Sequence, residues 1–344
     1  MSTDPLSWLD ERANERANAG LHRRLRPRAS RTELIDLASN DYLGLSRNPE
    51  VIDAAVAAVR EWGTGSTGSR LVTGTTVAHE RLEAELAEFT GAASGLVFAS
   101  GYAANLGVVT ALAGRGSLVV SDAGAHASLV DACRLSRARV QVAPHRDVEA
   151  VGRILAERTE QRALVLTDSV FSADGDLAPL TELHRVARAH GAVLVVDEAH
   201  GLGVRGTGGR GLVHELGLAG QPDLLITATL SKALGAQGGI VLGPEQVRDH
   251  LIDTARTFIF DTGLAPAAVG AAHAALRVLR REPALAGRVL TRAVELARIT
   301  GVPQPDSAVV SVVLGPAQVA HDAARQCRDS GLSVGCFRPP SVPE

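Results

Sequence analysis

Only one of the 35 basic residues in this chain, Lys232, is a lysine; every other one is an arginine. Arginine stays protonated, so it cannot act as an amine nucleophile or shuttle a proton. A lysine can, once its surroundings lower its pKa. Lys232 lies in the small-residue stretch Thr229-Leu230-Ser231-Lys232-Ala233-Leu234-Gly235, just after the apolar run Leu224-Leu225-Ile226. That order predicts a buried strand delivering an amine into a loop. A surface lysine left by codon bias would look the same, so the partners of Lys232 decide.

A second apolar run, Val193 to Val196, closes on Asp197-Glu198-Ala199-His200. A carboxylate ending a buried strand is desolvated and wants a cationic partner. Asp-Glu-Ala-His also occurs in nucleotide hydrolases, but those need a GxxxxGK[ST] phosphate loop. The one lysine here is preceded by Ser231, which excludes that loop. The alternative is pyridoxal 5'-phosphate, which needs a lysine for a Schiff base, an acid at the ring nitrogen and an anion site for the phosphate. Lys232 and Asp197 supply the first two. The third is predicted at Ser100-Gly101-Tyr102, where the run Leu96-Val97-Phe98 gives way to a helix whose first N–H groups and dipole favour an anion. His200 is placed to reach the ring hydroxyl. His126, in Asp122-Ala-Gly-Ala-His126-Ala-Ser128, follows another strand end and either stacks on the ring or caps a helix. Ser172 and Asp174-Gly175-Asp176 follow a third strand end, where Asp-Gly is also an ordinary turn pair.

Seven short apolar runs frame these residues: Leu96 to Phe98, Leu118 to Val120, Val140 to Val142, Ala163 to Leu166, Val193 to Val196, Leu224 to Ile226 and Ile240 to Leu242. Continuous apolar strands alternating with helical stretches predict an α/β fold. Its large, mostly parallel sheet is covered on both faces, with functional residues at the carboxyl ends of the strands. Ahead of the sheet the pattern predicts a helix over 5–26, a short strand over 34–37 and a helix from the Asn48-Pro49 start to Trp62. A Gly/Ser/Thr loop carrying Arg70 then leads to a helix over 78–89. After the sheet come a long helix over 264–281, a strand over 308–313 and a helix over 317–330. The expected organisation is an N-terminal helix and strand (1–45), a large cofactor-binding domain (46–281) and a smaller α+β C-terminal domain (282–344).

With 35 basic and 38 acidic residues the net charge is −3, so no global field favours nucleic acid or a membrane surface. The cysteines, Cys133, Cys327 and Cys336, form no CxxC spacing, which argues against disulfides and metal sites and for a reducing, cytoplasmic setting. No signal peptide and no apolar run of about 18 residues is visible.

Several stretches resemble the α-oxoamine synthases, fold-type I pyridoxal-phosphate enzymes that condense an amino acid with an acyl thioester. They are Leu37-Ala-Ser-Asn40-Asp41-Tyr42-Leu43-Gly44-Leu45, Ser100-Gly101-Tyr102-Ala-Ala-Asn105, Asp168-Ser-Val-Phe171-Ser172-Ala-Asp174-Gly175, Asp197-Glu-Ala-His200-Gly201 and Thr229-Leu-Ser-Lys232-Ala. The resemblance runs from about residue 5 to the end of the chain. It implies a homodimer with shared active sites. Lys232 would hold the cofactor, Asp197 would keep its ring nitrogen protonated, and His126 would stack on the ring. His200 and Ser172 would lie near the ring oxygen. Gly101, Tyr102 and Thr229 would surround the phosphate, and Thr262 would reach the phosphate of the partner subunit. Arg23, Asn40, His126, Arg338 and Ser341 would contact substrate; for the first of these the register among His22, Arg23 and Arg24 stays open. Ser341 stands where the family has threonine. The family continues past Arg-Pro-Pro-x-Val-Pro with a Ser-Arg-Leu-Arg segment, a strand and a helix, so the small domain is expected to be incomplete at Glu344.

The resemblance implies L-alanine and a pimeloyl thioester, on coenzyme A or a carrier protein, as substrates. The alternatives are a sister synthase acting on glycine, serine or another acyl thioester, such as a glycine acetyltransferase, and a cofactor-binding protein without turnover.

Overall fold

The computed structural model describes residues 4–30 and 32–339. The chain forms two compact units. The larger spans Asn40–Val310, and the smaller gathers the segments up to Ser39 and from Ser311 onward. The strands in chain order are β1 (Ile35–Asp36), β2 (Ser94–Phe98), β3 (Ser117–Asp122), β4 (Arg139–Ala143), β5 (Arg162–Asp168), β6 (Val193–Asp197), β7 (Leu224–Thr229), β8 (Gly239–Gly243) and β9 (Leu332–Ser333).

In the larger unit β2 to β8 make one sheet in the order β2-β8-β7-β6-β5-β3-β4. Only β8 runs against its neighbours; the other pairings are parallel. Except for the exposed edge strand β4, the strands read as unbroken apolar runs because both faces are covered. Val97, Val120, Val165, Leu194, Val196 and Ile226 pack with Leu82, Leu86, Leu180 and Leu276 on one side. The alternate residues Leu96, Phe98, Val119, Leu166, Val195 and Leu225 pack with Val108, Leu129, Leu251 and Phe258 on the other. This is the two-residue period of a doubly covered strand.

Parallel strands end on a common edge, so Phe98, Asp122, Asp168, Asp197 and Thr229 finish there together. The register sets Asp168 opposite Asp197 and Thr229 opposite Gly239. A side chain at Gly239 would run into the Ser100 carbonyl, so the start of β8 must be glycine for the turn after β2 to pass. Arg70 closes the outer edge of β2. Its Nη1 donates to the Val97 carbonyl at 3.0 Å, while its ion-pair partner Glu83 accepts the Val97 N–H at 2.8 Å. An edge strand thus has its exposed ladder groups occupied by a buried pair.

In the smaller unit the first helix is Trp8–Asn18, shorter than the expected 5–26. Gly20, at φ 67°, turns the chain: its N–H and that of Leu21 return to the carbonyls of Ala17 and Arg16. That left-handed stop satisfies the last carbonyls of the helix. β1 and β9 pair in parallel, and the helix Ala317–Asp329 precedes β9. That pairing joins the N-terminal segment to the C-terminal one, which the expected division at 45 and 281 did not anticipate. The helix Ala284–Thr300 belongs to the larger unit, held by buried Ala286, Ala293 and Ala297. Residues 308–313 form no strand: the run finds no ladder partner among the described residues, and Ser307 instead donates its hydroxyl to the Gly175 carbonyl at 2.8 Å. No helix of the described residues is long and apolar enough to cross a membrane.

Candidate active site

Lys232 follows β7 in a tight loop. Leu230 N–H donates to the Gly238 carbonyl, and Gly235 N–H to the Lys232 carbonyl. Gly235 holds φ 59°, and a side chain there would strike the backbone of Leu45 and Ser46, so the loop is pressed against the start of the larger unit. Lys232 Nζ lies 2.6 Å from His200 Nε2, and His200 Nδ1 lies 2.6 Å from the Tyr42 hydroxyl. Tyr42 donates onward to Asn40 Oδ1 at 3.2 Å. One set of protons satisfies the chain: the amine donates to Nε2, Nδ1–H donates to the phenol oxygen, and the phenol donates to Asn40. Burial, then the Lys232 and His126 charges, lower His200 to about 3, so it stays neutral. Burial lowers Lys232 below the ordinary lysine value, opposed by the charges of Asp197 and Asp168. Burial also raises Tyr42 far above the usual phenol range, which keeps its proton in place.

Asp197 sits at the end of β6 with both oxygens engaged, Oδ1 by the Ala199 N–H at 2.8 Å and Oδ2 by Asn105 Nδ2 at 2.6 Å. The same Asn105 nitrogen donates to Ser128 Oγ at 2.8 Å, and Asn105 Oδ1 accepts from Thr227 at 2.6 Å. Ser128 Oγ is 2.7 Å from His126 Nδ1. The Ser128 backbone N–H donates to the same Nδ1 at 3.3 Å, which makes Nδ1 an acceptor, so the Ser128 hydroxyl donates to it and His126 is the neutral Nε2–H tautomer. Burial lowers the pKa of His126 as well, against the pull of Asp197. The backbone N–H of His126 donates to Asp168 Oδ2 at 2.9 Å. Burial, then the neighbouring Asp197 charge, push Asp168 well above the usual carboxylate range. Glu198 is buried elsewhere, accepting from Ser169 and the Val213 N–H, and burial raises it to about 7.

Helix Gly101–Leu112 starts at the end of β2. Ser100 caps it, its hydroxyl taking the Ala103 N–H and its carbonyl the Ala104 N–H. The N–H groups of Gly101 and Tyr102 have no intrahelical acceptor, as in any first turn. Thr229 stands beside them: a Cβ on Gly101 would come 3.1 Å from the Thr229 Cβ. Thr229 Oγ1 donates to the Gly238 carbonyl at 3.0 Å and lies 2.8 Å from Ser231 Oγ. The Tyr102 ring is tied outward, its hydroxyl on Asp131 at 2.5 Å, so Tyr102 offers this cup its backbone. The assembly thus holds an amine with a lowered proton affinity, a carboxylate gripped by two donors, two neutral imidazoles and an anion-ready helix start.

Lys232, Asp197, His200, Asn40 and His126 therefore belong to one connected region, with Gly101, Tyr102 and Thr229 at the neighbouring strand ends. Ser172 lies in the turn closed by the Val170–Leu177 bridge, and its hydroxyl bonds to none of these groups. Thr262 lies on an exposed loop bridged to Ser69. Arg23 and Arg338 meet in the smaller unit, where a cavity of about 890 Å³ is lined by both, together with His22, Arg24, Arg26 and His321. Arg338 donates to the Gly20 carbonyl at 2.5 Å. Ser341 lies outside the described residues. Asn105, Ser128, Thr227, Asp168 and Tyr42 were given no role by the sequence analysis. Asn105 did leave a signal, being a polar side chain four residues after Gly101 in an otherwise mostly apolar helix, and so on the face that carries the cup.

The fold and this arrangement define an aminotransferase-like enzyme class: the family model for aminotransferases of class I and II matches residues 32–344. The chain is 68% identical over 340 residues to the 8-amino-7-oxononanoate synthase of Mycobacterium sp. (strain JLS), covering 98% of this chain and 89% of that protein. It is 67% identical to that of Mycobacterium tuberculosis (strain F11), covering 98% of this chain and 88% of that one. The chain belongs to the class I and II aminotransferases and, among them, to the 8-amino-7-oxononanoate synthases. Among solved structures, a Sphingomonas wittichii serine palmitoyltransferase aligns with a TM-score of 0.88 and 31% identity over 99% of this chain and 91% of that one. The 8-amino-7-oxononanoate synthase of Francisella tularensis aligns with a TM-score of 0.75 and 27% identity, over 90% of this chain and 89% of that one.

Proposed function

We propose that this chain condenses L-alanine with a pimeloyl thioester to give 8-amino-7-oxononanoate, carbon dioxide and the free thiol, as the acyltransferase of biotin synthesis for which its relatives are named. The observation that carries the reading is the half-buried amine of Lys232 beside neutral His200, with the Asp197 carboxylate on the adjacent strand end. The residues fit pyridoxal phosphate. Lys232 would bear it, Asp197 would face its ring nitrogen, and the Gly101 and Tyr102 N–H groups with Thr229 would take its phosphate in a cup that a Cβ on Gly101 would crowd. When bound, the cofactor supplies an electron sink that lets a proton and then carbon dioxide leave carbon.

The protein's own part follows from the contacts. A lysine with lowered pKa is a better nucleophile and can take the Cα proton of alanine on Nζ. His200 accepts a hydrogen bond from that nitrogen and leans on Tyr42 and Asn40, so the amine has a fixed direction. Asn105 and the Ala199 N–H hold Asp197 in place. His126, locked neutral by Ser128, presents a ring without charge for stacking. Ser172 is assigned to the ring oxygen. In the smaller unit Arg23, Arg338 and Ser341 are assigned to substrate. A cytoplasmic homodimer with Thr262 serving the partner's phosphate completes the reading; exposed Leu71, Val72, Val77 and Phe260 support a covered surface near that loop.

The likeness to serine palmitoyltransferase favours one second reading, a sister synthase with another amino acid and acyl chain. Thiol release measured with L-alanine, glycine or L-serine against pimeloyl, acetyl and palmitoyl thioesters separates the two. The proposal expects the alanine and pimeloyl pair to exceed the others. Preference for serine and palmitoyl would overturn it.

A further inference from the structure

Next to the loop that carries His126 lies a second charged cluster. Asp122 closes β3 four residues before His126, and its Oδ1 lies 2.8 Å from His145 Nδ1. Asp176 ends the turn that carries Ser172, and its Oδ2 lies 3.1 Å from His145 Nε2. Both ring nitrogens face carboxylates, and both contacts are hydrogen bonds together only when both nitrogens carry hydrogen, that is, when the ring is an imidazolium. It sits edge-on to Phe171, in the same turn, with ring centroids 4.3 Å apart.

The neighbouring residue repeats the link. Arg146 donates its N–H to Asp122 Oδ2 at 2.8 Å and its guanidinium to Asp176 at 2.9 Å, from a φ of 59° that side chains rarely adopt. Gly124, between Asp122 and His126, donates to Asp122 Oδ1 at 2.6 Å, and a Cβ there would come 2.8 Å from His145 Nδ1. The second oxygen of Asp176 is buried without a hydrogen-bond partner among the described residues, so that carboxylate depends on His145 and Arg146.

We propose that His145 is a positioning residue for the reaction: as a cation it straps the loop 122–126 to the turn 171–176, and so fixes where His126 and Ser172 meet the cofactor. This rests on the function proposed above. The charged groups facing the ring are Asp122 from β3, Asp176 from the turn and Arg146 beside it. Burial works against the charged ring, but the hydrogen bonds and charges of Asp122 and Asp176 outweigh it and hold His145 above the ordinary histidine value. A raised folded-state pKa means the strap is whole below about pH 6.5 and is lost as pH rises through the raised value.

The test titrates the full-length protein with pyridoxal phosphate from pH 6 to 9, following its absorbance, in the natural sequence, in H145Q and in D122N. It also records the thermal midpoint of the cofactor-free proteins over the same range. At pH 6 the expected loss of affinity is roughly three- to tenfold for H145Q, the size of one hydrogen bond's typical net contribution. The natural protein should weaken toward H145Q as pH rises, while H145Q changes less. D122N should move the transition to lower pH. H273Q, which breaks a remote contact of 2.8 Å to Glu85, serves as the control and should behave as the natural protein. An H145Q protein with natural affinity and an unchanged pH slope in both measurements would overturn the strap. If H145Q does not fold, D122N leaving the transition where it was would do so. A natural protein that takes up no cofactor contradicts the proposed function, and the thermal arm then still tests the strap.

Discussion

The polar cluster at the sheet edge and the arginine-lined cavity of the smaller unit both present groups suited to charged ligands, yet they are built in opposite ways. At the sheet edge each side chain is held by another. Lys232 leads to His200, Tyr42 and Asn40, and Asp197 to Asn105, Ser128 and His126. In the smaller unit, His22, Arg23, Arg24 and Arg26 lie exposed in an irregular stretch. Strand ends and helix starts fix a side chain to the fraction of an ångström that proton transfer needs. An exposed, irregular segment supplies charge and reach, which suffices to attract a carboxylate or phosphate. The first region is therefore expected to govern kcat, and the second KM.

The contrast is broken most severely at Asp197. D197N keeps the shape but removes the anion and sets an NH2 against one of the two donors that now hold the carboxylate, the Ala199 N–H or the Asn105 amide. A fall in kcat of roughly 10²–10⁴ is expected, the range for a positioned acid or base, with KM for alanine little changed. N105A leaves Asp197 Oδ2 and the Thr227 hydroxyl without their buried partner, at about 1–3 kcal/mol. It should lower kcat by about tenfold and weaken cofactor retention in dialysis. R338A should act on the other term, raising KM for the acyl thioester several-fold at nearly constant kcat, with a penalty that shrinks as salt is added. Equal kcat losses in N105A and R338A would erase the distinction.

The smallest effect is on stability. His200 and His79 are lowered to about 3 and about 4, in both cases by burial first. Folded-state values below the unfolded one mean that this stability is whole above about pH 6.5 and drains as pH falls toward those values. Denaturant midpoints at pH 7 and pH 5 should differ, and the difference should shrink in H200Q.

What was legible in the sequence were the features with a local cause. Short apolar runs marked all seven strands of the sheet: burial on both faces leaves six of them without alternation, whereas β4, at the sheet edge, alternates and exposes Val140 and Val142. Asp197 and Lys232 stood out because a charge after a buried run has few explanations. Asn105, Ser128 and Thr227 were not assigned, since their pairing depends on which strands and helices become neighbours. The failed strand over 308–313 and the helix that stops at Asn18 have the same origin: apolar and helical patterns propose an element, but a ladder partner or a glycine stop decides it.

The most direct test of the account uses the single lysine of the chain. The protein is incubated with pyridoxal phosphate, reduced with borohydride, digested and mapped by mass spectrometry. The account predicts a visible absorbance before reduction and one stoichiometric pyridoxyl adduct, on Lys232. No adduct, or an adduct confined to the terminal amine, would contradict it.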